Sequence, residues 1–219
     1  MIAAVLFDID GTLIDSNPLH VDAWAEVFAD AGHTVSREDI AGQIGKGGDN
    51  LVPALLPGID TDAAKALSDA HGSVFKARYI ARAKPFPDAT ALVERVHRDG
   101  AKVVLASSAS AEELDHYLGL LGIADLVAAK TSIDDVETSK PAPDIFAAAL
   151  KKAGVSADQA VAVGDTPYDV ASAAGAGMGT VAVLSGGFSE GVLREAGATA
   201  VYRDVAALLA GYAESVLAG

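Results

Sequence analysis

Residues 5–13 read V-L-F-D-I-D-G-T-L, a hydrophobic strand that ends in two carboxylates, Asp8 and Asp10, set against a glycine turn. Strand side chains alternate between faces, so residues two apart point the same way, and these carboxylates are expected to converge at the strand's carboxyl end. Two carboxylates at one spot repel unless a cation lies between them. A bound divalent metal would relieve the repulsion, leaving one carboxylate as a nucleophile and the other placed to move a proton. A plainer reading fits this stretch too: a strand ending in a D-G turn whose Asp side chains cap the next segment.

Further apolar runs recur at 2–7, 102–106, 126–129, 160–163 and 180–184. Their hydrophobicity is continuous rather than alternating, as expected of strands covered on both faces. Segments 89–98, 111–121, 143–153 and 168–174 lie between them with helical spacing, each long enough for a crossover helix. The pattern predicts an α/β fold with a doubly wound parallel sheet. Pro143 suits a first helical turn, and Asp144 complements the positive end of that helix.

Residues 15–83 break this rhythm with helical spacing and no strand-like run, which predicts an inserted helical domain between core segments 1–14 and 84–219. Within it Leu19, Ala23, Val27 and Phe28 share a helical face, as do Ala63, Ala66, Leu67 and Ala70. A glycine-rich loop, G-K-G-G-D-N at 45–50, opens a helix between them, and K-P-F-P at 84–87 is expected to re-enter the sheet as a stiff hinge.

The chain has 219 residues, 51% of them hydrophobic, enough for a sizeable core. Its net charge of −14 repels phosphate backbones and anionic lipid, which argues against nucleic-acid or membrane partners. It contains no cysteine, which excludes disulfides and thiolate chemistry. No stretch approaches the roughly 18 apolar residues of a spanning helix, and Met1 leads directly into the first strand without a charged leader. A cytoplasmic location is the expectation.

Ligands of open α/β sheets bind beyond the carboxyl ends of the strands, and four strand ends here offer polar groups. Asp8 and Asp10 end the first. Ser107 and Ser108 follow V-V-L-A at 103–106, where they would either hold phosphate oxygens or cap a helix. Lys140, in T-S-K-P-A-P at 138–143, would either place an ammonium over Asp8 and a phosphate or lie in solvent. G-D-T-P-Y-D at 164–169 brings Asp165 and Asp169, as metal ligands or surface caps.

In this order, acid pair, hydroxyl, lysine, acid pair, the chain resembles the phosphatases of the haloacid dehalogenase superfamily over its whole length. D-I-D-G-T-L matches the first motif, Ser107 the second, Lys140 the third and G-D-T-P-Y-D the fourth, and the helical insertion resembles the family's small cap. The resemblance implies that Asp8 attacks phosphorus to form an aspartyl phosphate. Asp10 would protonate the leaving oxygen and later deprotonate water, with Thr12 orienting it. Mg²⁺ would join Asp8, the Asp10 carbonyl and Asp165, with Asp169 in support, while Ser107 and Lys140 hold the phosphoryl oxygens. The expected substrate is a small phosphate monoester.

Asp10 distinguishes the chain from dehalogenases and phosphonate-cleaving relatives, which generally lack that second acid. N-P-L-H-V-D-A-W at 17–24 is similar to β-phosphoglucomutases, which carry a histidine and a tryptophan at this spacing. His20 and Trp24 then share a helical face, as substrate contacts or as cap core. Two departures favour a phosphatase over a mutase: Gly164 stands where those enzymes usually carry an acid, and the 45–50 loop has glycines where they carry an arginine. Lys46, the only basic residue of that loop, would attract an anionic substrate group or lie in solvent, with Gly47 beside it. A receiver-like phospho-switch also combines such groups, but needs neither a leaving-group acid nor a lid.

Overall fold

Strand β1 (Ala4–Phe7) is buried at every residue and feeds two cores, because its side chains alternate. Val5 and Phe7 face one way with Val103, Leu105, Val161, Val163, Val181 and Val183. Ala4 and Leu6 face the other with Val104, Ala106, Ala160 and Ala162. The computed structural model describes residues 2–219, so Met1 lies outside the described residues.

After β1 come β2 (Ile14–Asp15), α1 (Asn17–Asp30), α2 (Arg37–Ala41), α3 (Gly48–Leu55), α4 (Thr61–Arg78) and β3 (Lys84–Pro85). The chain continues through α5 (Ala89–Arg98), β4 (Lys102–Ala106), α6 (Ala111–Leu121), β5 (Val127–Thr131), α7 (Asp144–Ala153) and β6 (Ala160–Gly164). It ends with α8 (Pro167–Gly175), β7 (Gly179–Val183), α9 (Glu190–Glu195), β8 (Ala200–Tyr202) and α10 (Val205–Ala210). Six strands form a parallel sheet in the order β5-β4-β1-β6-β7-β8. Helices α5, α6 and α10 cover the branched face through Leu92, Val96, Leu114 and Leu208. Helices α7 and α8 lie on the alanine-rich face through Ile145, Phe146, Ala149 and Ala173. This is the doubly wound α/β sheet expected, with β1 and its carboxylates between β4 and β6.

Helices α1–α4 fill the interval between β2 and β3, with a small core of Val21, Trp24, Val27, Phe28, Ile40, Leu51 and Val52. Several details differ from the sequence reading. The 84–87 segment does not join the large sheet: Lys84 and Pro85 pair antiparallel with Asp15 and Ile14, forming a separate two-stranded neck under the helices. Helix α1 buries two faces, since Leu19 and Ala23 pack with the main core while Val27 and Phe28 pack within the helical layer. On α4 the inward residues are Leu67 and Phe75, whereas Ala63 and Ala66 face solvent. An alanine repeat signals helix propensity more than a buried stripe. Pro143 sits at the N-cap of α7, one residue before the first turn.

Candidate active site

The chain turns sharply after β1 because Gly11 adopts φ +80°, and the Ile9 carbonyl accepts the amides of Thr12, Leu13 and Ile14. This turn breaks the strand alternation just where it would have aligned Asp8 with Asp10. The two carboxylates therefore part. Asp8 accepts from Lys140 Nζ at 2.5 Å, whereas Asp10 Oδ1 accepts from Ser16 Oγ at 2.5 Å and lies 3.2 Å from His20 Nε2. The expected convergence on a single cation is thus not built from side chains. Asp10 turns its carboxylate toward α1.

The acidic group that does form is Asp8, Asp165 and Asp169, with one carboxylate oxygen from each lying within 4.8 Å of the others. All three are buried. Lys140, also buried, donates to Asp8 and to the Ala106 carbonyl at 2.9 Å, and its ammonium pairs with Asp169 Oδ1 at 2.7 Å. Burial alone would lower its pKa, but the charges of Asp169 and Asp8 outweigh that and raise it. Asp169 is a cap as well as a charge partner: its Oδ2 accepts from the amide and hydroxyl of Thr166 in a capping box at the start of α8.

Thr12 does not orient Asp10. Past the Gly11 turn its hydroxyl donates to Asp165 Oδ1 at 2.6 Å, and Asn17 Nδ2 donates to Asp165 Oδ2 at 3.0 Å. The side chains in contact with the Asp10 carboxylate are those of Ser16 and His20. Close approach is enforced by glycine: a Cβ on Gly186 would lie 1.7 Å from Asp165 Oδ2, and one on Gly11 would lie 2.2 Å from it. The buried Asn17 Oδ1 has no hydrogen-bond partner.

One lysine faces three buried carboxylates. Burial pushes Asp8 up to about 7, and burial with the charges of Asp169 and Asp8 holds Asp165 well above the usual carboxylate range. Asp10 goes the other way. Burial opposes ionisation there, but His20 and the hydrogen bonds from His20 and Ser16 hold its pKa below the usual range. The uncompensated negative charge and an all-oxygen donor set fit a hard divalent cation, so the triad could hold a metal ion.

Asp8 and Asp10 line a cavity of about 340 Å³ beneath the helical layer. His20, Lys46, Gly47 and Ser108 line it as well, together with His71 and Lys76. Ser107 is buried, its hydroxyl accepting from the Ala109 amide at 3.0 Å. It does not cap α6, because that helix starts later, on a Ser110–Glu113 capping box. Lys46 is held by Gln43 Oε1 at 2.5 Å and lies 4.5 Å above the Tyr168 ring. Gly47 donates its amide to Ser139 Oγ at 2.9 Å, Asn50 donates to the Ser139 and Lys140 carbonyls, and Asp49 accepts from the Ser139 amide at 3.0 Å. Sequence reasoning missed Ser16, Asn17, His71, Asp49 and Ser139. Ser139 beside Lys140, Asp49 in the 45–50 loop and Asn17 at the head of the 17–24 segment had adjacency as a signal.

A family model for haloacid dehalogenase-like hydrolases matches residues 2–177. The chain belongs to that family. It is 33% identical to a phosphoglycolate phosphatase of Rhodospirillum rubrum over 214 residues, covering 94% of this chain and 88% of the relative. It is 34% identical over 215 residues to the chloroplastic protein SUPPRESSOR OF QUENCHING 1 of Arabidopsis thaliana, matching 93% of this chain. The match spans 20% of that plant protein's length. A hydrolase from Pseudomonas syringae superposes with a TM-score of 0.90 at 31% identity, covering 97% of this chain and 98% of the other. Membership of a hydrolase family makes the chain an enzyme and removes the receiver-like reading. Among the described residues, no helix is long and apolar enough to cross a membrane.

Proposed function

We propose that this chain hydrolyses a small phosphate monoester through an aspartyl phosphate on Asp8, with Mg²⁺ held by Asp8 and Asp165 and supported by Asp169. The observation that carries the reading is the division of labour between two carboxylates on one cavity. Asp8 sits beside Lys140 and the acidic triad; Asp10 is turned away to Ser16 and His20. One group is thereby placed to attack and the other to carry a proton.

Asp8 attacks phosphorus, and Lys140, already bonded to it, neutralises charge shared between the carboxylate and the transferring oxygens. Ser107, buried after β4, supplies a hydroxyl to the same oxygens. Asp10, protonated when the ester is bound, gives that proton to the departing alkoxide; the carboxylate that results, held by His20 and Ser16, takes a proton back from the water that cleaves the acyl phosphate. The cation, when bound, offsets the charge of the triad and of the phosphoryl group. The helical layer, residues 15–83, acts as a cap joined to the core by the β2–β3 neck and excluding water from Asp10 when closed. Its contacts with Ser139 hold the 45–50 loop, whose Lys46 and Gly47 line the cavity and would meet the leaving group of a bound ester. The relatives make 2-phosphoglycolate the first substrate to try.

The mutase alternative has less support. A Cβ on Gly164 would lie 2.6 Å from that of Asp169, so an acid there would displace a member of the triad. A screen of phosphate monoesters with Mg²⁺, from phosphoglycolate through hexose phosphates to nucleotides, tests the proposal by release of inorganic phosphate. Isomerised hexose phosphate in place of free phosphate would mean a mutase, and no turnover of any ester would refute both.

A further inference from the structure

We propose that His71 is a positioning residue for Asp10, acting through His20. The inference rests on the reading of Asp10 as the group that moves the proton.

His20 Nε2 lies 3.2 Å from Asp10 Oδ1, and its other ring nitrogen, Nδ1, lies 3.4 Å from His71 Nε2. Both imidazoles are clamped by flat stacks. His20 lies on Phe75 with centroids 3.8 Å apart and planes 9° apart, and His71 lies on Trp24 at 4.1 Å and 8°. Neither ring can tilt out of its plane without giving up its stack, so the line Asp10–His20–His71 is held in the plane of the rings.

A neutral imidazole carries its proton on either nitrogen, and what the second nitrogen meets decides which. An ionised Asp10 accepts only from a His20 protonated on Nε2. That form leaves His20 Nδ1 bare, in need of a donor. His71 Nε2–H is the donor in place, and burial keeps the His71 pKa well below the ordinary value, so it remains neutral beside a neutral His20. His71 thereby selects the His20 form that holds the Asp10 carboxylate toward the cavity. The logic is that of an outer partner fixing the tautomer of a working histidine. His71 stands on α4, separated from His20 by 51 residues, and no spacing in the sequence connects them.

Two substitutions separate the hydrogen bond from the packing. His71→Phe keeps a ring on Trp24 and removes the donor; His71→Gln keeps an N–H donor. Ring-nitrogen NMR of His20, assigned by its loss in His20→Asn, should show Nε2 protonated in the unsubstituted protein and in His71→Gln. The Nδ1-protonated form should appear in His71→Phe. An unchanged His20 tautomer in His71→Phe overturns the proposal.

The kinetic counterpart is the ratio of kcat/KM for nitrophenyl phosphate to that for an alkyl phosphate, because nitrophenolate departs without a proton and an alkoxide does not. His71→Phe should raise that ratio by about tenfold or more, a part of what a positioned general acid contributes, and His71→Gln should restore it. Equal losses on both esters would assign His71 to packing and overturn the proposal. If the unsubstituted protein hydrolyses neither ester, the phosphatase reading fails, and the His20 tautomer still decides the role of His71.

Discussion

Replacing Asp8 with asparagine should abolish turnover and, in metal-free protein, raise stability. Burial pushes the Asp8 carboxyl from 3.8 up to about 7. At about 1.4 kcal/mol per pH unit, holding that group ionised in the folded state costs up to about 4 kcal/mol. The sign follows from proton binding: the folded state holds this proton more tightly than the unfolded chain does. The cost is therefore absent below about pH 4, grows as the pH rises, and is complete above about pH 7. Asparagine has nearly the same shape, keeps an oxygen to accept from Lys140, and carries no charge. Lys140 retains Asp169 at 2.7 Å and the Ala106 carbonyl at 2.9 Å. For a domain of this size 1 kcal/mol moves Tm by about 2–4 °C, so Asp8→Asn should gain at most about 8–16 °C in EDTA near pH 8, and little near pH 4. Excess Mg²⁺ should narrow the gap, because it stabilises the unsubstituted protein through binding that the variant lacks. Calorimetric melts at the two pH values, with and without Mg²⁺, check this. An advantage equal at both pH values, or a variant less stable near pH 8, would refute the claim that Asp8 is held at a cost in the folded chain.

Chelation should stop hydrolysis reversibly, and Mg²⁺ should restore it where Zn²⁺ does not, because the donor set is all oxygen. Full phosphatase activity in excess EDTA would contradict this. Gly186→Ala places a Cβ where Asp165 Oδ2 now lies and should weaken Mg²⁺ binding by about 10–100-fold, read by titration calorimetry. Asn50→Ala removes an amide that bonds the Ser139 and Lys140 carbonyls. At roughly 1 kcal/mol for the pair, it should raise KM about fivefold, measured by steady-state kinetics. Lys46→Ala should raise KM for carboxylated or doubly phosphorylated esters and spare uncharged ones; equal loss on both would make Lys46 structural.

Much of this was legible because two physical signals coincided. The strand at β1 combines an unbroken apolar run with charge at its end, and only a sheet covered on both faces and open at one edge accommodates both. Asp165, Lys140 and Asp169 were legible for a related reason: Asp165 follows β6, Lys140 stands just before a proline-flanked turn, and Asp169 lies in the first turn of the helix after β6. What the sequence concealed depends on chain reversal and on short elements. Strand periodicity carries no information past Gly11, and the family resemblance linked Thr12 to Asp10, whereas its hydroxyl bonds Asp165. Strands β2 and β3 are two residues each, β8 is three partly exposed residues at the sheet edge, and α9 and α10 span six each. No periodicity can be read over such lengths. The N-caps Ser189 and Asp204 were the available signals for the last two helices. His71 and Asn17 reach the site only because the helical layer folds over it.

The central claim is that Asp8 becomes phosphorylated. Protein quenched during turnover of a substrate ester and reduced with borohydride should carry homoserine in place of Asp8, the product expected of an acyl phosphate, located by peptide mass spectrometry. Active enzyme that yields no homoserine there, or yields it at Asp10, Asp165 or Asp169, would contradict the account.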